Sequence, residues 1–121
     1  MTEIKNSKHY DLEERTLEFA KKVRSFIKNL PKTTGNFEDE KQMVRSSGSI
    51  GANYIEANEA LSKKDFAMRI KISRKEAKET EYWLKLIDVN NSAELETEKQ
   101  KLIREAVELR KIFGAILEKT K

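Results

Sequence analysis

The amino-acid sequence predicts an all-α protein, folded as an antiparallel up-down-up-down four-helix bundle. Three observations carry that reading. Apolar residues recur at steps of three and four along most of the chain, the spacing that gathers side chains on one face of a helix. One Pro and four Gly leave little material for the tight turns of a sandwich or barrel. The breaks between periodic stretches are only a few residues long, which favours antiparallel neighbours. A length of 121 residues suits one domain, residues 1–121, in which 1–10 read as a polar tail.

The first helix is expected to start at Asp11, with Glu14 as its capping-box partner. Leu12, Thr16, Phe19, Val23, Ile27 and Leu30 follow on one face, and Pro31 ends the helix. A second helix is expected from a cap at Asn36 to about Leu61. Its buried side would hold Met43, Val44, Ser47, Ile50, Gly51, Tyr54, Ile55 and Leu61. Gly48 and Gly51 each cost about 1 kcal/mol relative to Ala inside a helix. Together with Ser47 and Ala52 they would let a neighbouring helix approach closely. A phosphate-cradling loop in RSSGSIGAN is disfavoured, because no Walker lysine follows and no strand precedes.

Ser62 and Asp65 form the next capping box, opening a third helix that runs to about Val89. DVNNS is a turn, and Asn91 with Glu94 is expected to start the fourth helix. Leu95, Leu102, Ala106, Leu109, Phe113 and Ile116 line that helix, whose mixed Glu and Lys read as a solvated outer face.

Composition removes several function classes. Charged residues make up 38% of the chain and the mean hydropathy is −0.77, above the usual charged share of about 25%. The helical periodicity nevertheless argues against disorder. No apolar run approaches the ~20 residues of a membrane span, and the opening MTEIKNSKHYDLEE has no signal-peptide core. The absence of Cys removes disulfides, thiolate nucleophiles and zinc–cysteine sites, and a cytoplasmic location is expected. The one histidine, His9, cannot supply a metal site or a triad alone. Ser46, Ser47 and Ser49 have no His base, and Glu76, Glu79 and Glu81 lie among lysines that favour their ionised form. The expectation is a protein that is not an enzyme and has no metal or cofactor.

The third helix carries the informative pattern. Phe66, Ile70, Ser73, Ala77, Thr80, Leu84 and Ile87 fall on a core stripe at about 100° per residue. Met68, Ile72, Trp83 and Leu86 form a second apolar strip beside it. Together they exceed the stripe of somewhat over 100° that a surface helix needs, so the second strip is expected to be a subunit interface. The alternative is that Trp83 and its neighbours pack on the N-terminal tail or sit half exposed. The remaining face carries Lys64, Lys71, Lys75, Lys78 and Lys85, with Arg74 at its edge and Tyr82 within it. Residues 63–78 hold seven basic and two acidic residues, a net of +5. The chain nets +4, so the rest carries −1 and the positive charge is local. Such a row could track a phosphate backbone while Tyr82 stacks a base. The competing reading is a solvated lysine face, partly paired with Glu79, Glu81 or acidic residues of neighbouring helices.

Residues 45–57, RSSGSIGANYIEA, followed by the basic helix and by EAKETEYWLKLI at 76–87, resemble the bacterial four-helix-bundle family, also called the 23S rRNA intervening-sequence protein family. Ser49, Ile50, Asn53 and Glu56 carry the resemblance in their spacing, and Glu79, Trp83 and Leu84 extend it. The chain departs from the family at Gly51–Ala52 and at Ala57–Asn58. The resemblance implies a small bundle assembled into a pentameric ring. A related branch is the accessory protein of diversity-generating retroelements, a basic pentameric barrel thought to bind nucleic acid and a reverse transcriptase. The expected partners are therefore further copies of the chain, RNA or DNA, and a reverse-transcriptase-like protein, with no membrane. The other reading is a protein-interaction scaffold or accessory subunit that binds no nucleic acid. Asn53 and Glu56 are expected to play structural roles.

Overall fold

The computed structural model describes the backbone of residues 7–121 and the side chains of residues 12–121. Four helices follow in order: α1 (Ser7–Ile27), α2 (Thr34–Asn58), α3 (Lys63–Leu86) and α4 (Ala93–Lys119). Sequential helices are neighbours and α1 closes on α4; among the described residues the backbones of the diagonal pairs stay apart, and only side chains meet across the centre. This is the expected up-down-up-down bundle. Its centre is filled by Phe19, Val23, Met43, Ile50, Ile70, Leu84, Leu109 and Phe113, all essentially without solvent contact. Tyr54 meets Phe113 edge to face across the core, with ring centroids 5.6 Å apart.

The helix starts differ from expectation at three places. α1 begins at Ser7, four residues before Asp11, because nothing in SKHYD breaks a helix. Residues 7–10 therefore belong to α1 rather than to a tail. Residues 1–6 and the side chains of His9 and Asp11 lie outside the described residues. Thr33, not Asn36, caps α2, its hydroxyl accepting from the Asn36 amide at 3.0 Å. Ser92, not Asn91, caps α4 by accepting from the Leu95 amide at 3.1 Å. Asn91 and Asn90 instead adopt positive φ angles of 65° and 53°, which Asn tolerates better than most residues. Ser62 caps α3 as expected, accepting from the Asp65 amide at 3.0 Å.

Asn36, freed from capping, is 2% exposed and ties two loops together. Its amide nitrogen donates to the carbonyls of Pro31 (3.1 Å) and Asp88 (2.8 Å), and its Oδ1 accepts from the Asp88 amide at 3.0 Å. The α1–α2 and α3–α4 connections are thereby fixed at one end of the bundle. Two expected core residues lie outside. Leu61 falls beyond the end of α2 and is 99% exposed, and Ile55 sits on the flank of the stripe, half exposed.

Gly51 marks the close approach of α1 and α2. A methyl carbon there would lie 2.7 Å from Thr16 Oγ1 and 3.1 Å from Thr16 Cβ. Thr16 cannot yield easily, since it is buried and its hydroxyl donates to the carbonyls of Leu12 and Glu13. At Gly48 a methyl would meet only Arg24 Nη2, at 3.7 Å, an ordinary contact. Overpacking costs about 1–3 kcal/mol and the gain in helix propensity is about 1 kcal/mol. Gly51→Ala is therefore expected to lower the thermal midpoint by several degrees, and Gly48→Ala to leave it unchanged or raise it. Paired melting curves followed by circular dichroism test this.

Candidate nucleic-acid interface

The outward face of α3 is set by what its inward face bonds. Ile70, Ser73, Ala77, Thr80 and Leu84 are fully buried. Two of them are hydroxyl residues with partners on α2. Ser73 Oγ donates to the Ile50 carbonyl at 2.9 Å, and Thr80 Oγ1 lies 2.7 Å from Ser46 Oγ. Thr80 also donates back to the Glu76 carbonyl at 2.8 Å. Ser46, weighed above as a nucleophile, is thus a buried member of the helix–helix contact.

With that face inward, Lys64, Lys71, Arg74, Lys75, Lys78, Tyr82 and Lys85 are all exposed. They form one continuous band, as the helical projection requires. Among the described residues, no carboxylate pairs with Lys64, Lys71, Arg74, Lys75 or Lys78. Lys85 differs, because its ammonium lies 2.9 Å from Glu81 one turn earlier. Arg74 runs across the groove toward α4, where its Cδ would lie 3.8 Å from a methyl on Gly114.

Two carboxylates of α3, Glu76 and Glu79, turn away from that row, while Glu81 pairs with Lys85 as the solvated-face reading expects of part of the band. Glu76 is 6% exposed and is held by Arg45 of α2 through contacts of 3.0 Å and 3.4 Å. Arg45 also reaches Glu79 at 3.1 Å. The hydrogen bond to Glu76 raises the Arg45 pKa against the opposing effect of burial. Glu81 faces α4 and engages Arg110 at 3.4 Å besides Lys85. Sequence reasoning placed these carboxylates among lysines and missed Arg45 and Arg110, since a cross-helix pair over 31 residues leaves no local spacing to read.

The second apolar strip is only partly open. Met68 and Leu86 are 48% and 49% exposed, while Ile72 and Trp83 are half-buried. Trp83 packs on the core, and its indole nitrogen is buried without a hydrogen-bond partner among the described residues; the alternative that it packs on the N-terminal tail concerns residues outside them. Tyr82 meets it edge to face, centroids 5.1 Å apart and planes at 72°.

The motif residues on α2 divide. Ile50 is core, and its carbonyl receives Ser73. Asn53 donates to the Ser49 carbonyl at 2.9 Å and accepts from Arg69 Nη1 of α3 at 2.9 Å, which is a structural role. Glu56 is exposed. Among the described residues no group of His, Cys, Asp or Glu is placed to hold a metal ion, and no helix is long and apolar enough to cross a membrane.

Burial acts to raise the Glu81 pKa, but bonds and charges from Lys85 and Arg110 outweigh it and hold the carboxyl below its ordinary range. A folded-state pKa below the unfolded one stabilises the fold above about pH 4.5, and that contribution is lost as pH falls through the folded value. Urea titrations are expected to show wild type more stable than Glu81→Gln at pH 7, with the gap closing by pH 3. A gap that stays constant or widens on acidification would contradict this.

Comparison with known proteins follows the same architecture. The family model described as 23S rRNA-intervening sequence protein matches residues 8–115. A similar solved structure is that of a protein of unknown function from the S23 ribosomal protein family of Bacteroides thetaiotaomicron. It is 33% identical to this chain, with a TM-score of 0.78 over 93% of this chain and 99% of that one. No curated protein matches the sequence.

Proposed function

We propose that this chain, which belongs to the 23S rRNA-intervening sequence protein family, is a non-enzymatic bundle that assembles with copies of itself and binds nucleic acid along α3. The observation that carries the reading is the row of five exposed cations, Lys64, Lys71, Arg74, Lys75 and Lys78, which have no carboxylate partner among the described residues while Glu76, Glu79 and Glu81 of the same helix are engaged by Arg45, Arg110 and Lys85. From Lys64 to Lys78 the row covers about 21 Å of helix at ~1.5 Å per residue, long enough to meet several successive phosphates. Phosphate binding by such a row needs no shaped pocket, because counterion release supplies the free energy.

The charge-reversed variant Lys71→Glu/Lys75→Glu/Lys78→Glu tests this against an RNA hairpin with single-stranded flanks. Wild-type affinity is expected to fall with salt, at a log–log slope of about −0.7 to −0.9 per phosphate contact. The triple variant should flatten that slope by about 2 to 3 and bind far more weakly at low salt. Equal affinities of the two proteins would reject the reading.

Assembly, with five copies as the family resemblance implies, is assigned to the strip that ends in Met68 and Leu86. Their half-exposure fits an apolar contact that a single subunit does not complete, and Trp83 would support the contact from beneath. Met68→Glu/Leu86→Glu, which spares the core, is expected to reduce the particle to the 14.1 kDa chain with helicity retained. Light scattering with circular dichroism reads this out. A wild type that already runs as one chain at micromolar concentration would remove assembly from the proposal.

A further inference from the structure

We infer that the α3 face takes single-stranded nucleic acid, with Tyr82 as the platform on which one unpaired base stacks. This rests on the phosphate-binding reading above and adds the strand state of the ligand. Tyr82 is 58% exposed and lies on the same helical face as the cations, one turn beyond Lys78 and two beyond Lys75. The next cation along, Lys85, is neutralised by Glu81 at 2.9 Å. The free row therefore ends on an aromatic ring.

That ring has a fixed neighbour. Trp83 is seated on the core with its nitrogen buried, and it meets Tyr82 edge to face at 5.1 Å. Edge-to-face pairs are worth about 0.5–1.5 kcal/mol beyond area burial, enough to bias the exposed ring toward one orientation. A pre-positioned ring loses less freedom when a ligand covers it. The unpartnered indole has a local account in this arrangement: Trp83 serves as a buttress, and its N–H is the part that finds no acceptor.

The strand state follows from access. Bases in a duplex are paired and stacked on each other, so a ring could reach a base face there only by unstacking a step, at a cost of about a few kcal/mol. An unpaired base carries an open π-face, and stacking on an aromatic side chain tolerates any base. Lys75 and Lys78, about 10 Å and 6 Å before Tyr82 along the axis, then hold the phosphates of the adjoining nucleotides.

The test is fluorescence anisotropy of the full chain with labelled oligouridylate and with an RNA duplex of equal length. The proteins are wild type, Tyr82→Ala, Tyr82→Phe and the Lys71/Lys75/Lys78→Glu variant. Wild type is expected to favour the single strand. Tyr82→Ala should lower the single-strand to duplex affinity ratio by about 5- to 150-fold, the range for loss of one stacked base. Tyr82→Phe keeps the ring and should keep the ratio. An unchanged ratio in Tyr82→Ala overturns the inference, as does a Tyr82→Phe variant as impaired as the alanine, since the hydroxyl and not the ring would then matter. If the charge-reversed variant binds both ligands as wild type does, the phosphate reading itself fails. If that variant loses both ligands while Tyr82→Ala keeps the ratio, the stacking inference fails and the phosphate reading stands.

Discussion

The contact between α2 and α3 determines the rest of the molecule, because it fixes the rotation of α3 about its own axis. Apolar burial alone is non-directional, and α3 carries apolar residues over more than half its circumference. The buried hydroxyls remove that ambiguity. Ser46 with Thr80, and Ser73 with the Ile50 carbonyl, are fully enclosed and bonded across the seam. A buried polar group without a partner costs about 1–3 kcal/mol, so a rotation of one residue would forfeit both contacts and bring lysines toward the core. Arg45 with Glu76 and Asn53 with Arg69 continue the same seam toward its rim. Small hydroxyl side chains also keep the helices close, where larger apolar ones would hold them apart.

The charge arrangement on α3 follows from that rotation. Lys71 with Lys75, and Arg74 with Lys78, are like-charged i,i+4 pairs, and Lys75 with Lys78 adds an i,i+3 pair. Each such pair destabilises an exposed helix by about 0.2–0.5 kcal/mol. The neighbouring carboxylates do not relieve them, since Glu76 and Glu79 turn to Arg45 and Glu81 turns to Arg110 and Lys85. Within one subunit the row is an unrelieved cost. Places where a sequence breaks a local rule without an internal gain are where function is expected, and an external polyanion is the partner that would reverse the sign.

The helices themselves were legible because their core stripes have a clear period. Phe19, Val23, Ile50, Ile70, Leu84, Leu109 and Phe113 are all buried as the spacing requires. Gly51 was legible too, as a cost that needed a reason, and Thr16 supplies it. Helix starts were less readable where capping residues crowd together. Thr33, Thr34 and Asn36 compete at one start and Asn90, Asn91 and Ser92 at another, and only backbone geometry chooses among them. Asn36 shows the limit most plainly, because its decisive partner, Asp88, is 52 residues away. Leu61 was misplaced for the opposite reason: periodicity continues past Asn58, where the backbone stops being helical. The basic band was visible in the sequence, but its freedom from ion pairing was not, since that depends on arginines from two other helices.

The two outward faces of α3 adjoin, and this links the proposed activities physically. The strip ending in Met68 and Leu86 lies beside the lysine band on the same helix, so packing copies along the strip would set their cation rows near one another. Bringing such rows together raises electrostatic energy, which opposes assembly, while a polyanion laid across them lowers it. Assembly and nucleic-acid binding would then favour each other by the same coupling free energy in both directions. A single row of five cations binds weakly at physiological salt. Rows held on one particle act at a high effective concentration, and avidity can exceed single-site affinity by about 10²–10⁴-fold without any new contact. In that arrangement the repulsion on one helix would be the source of the coupling, weakening an empty assembly and being relieved by a bound polyanion.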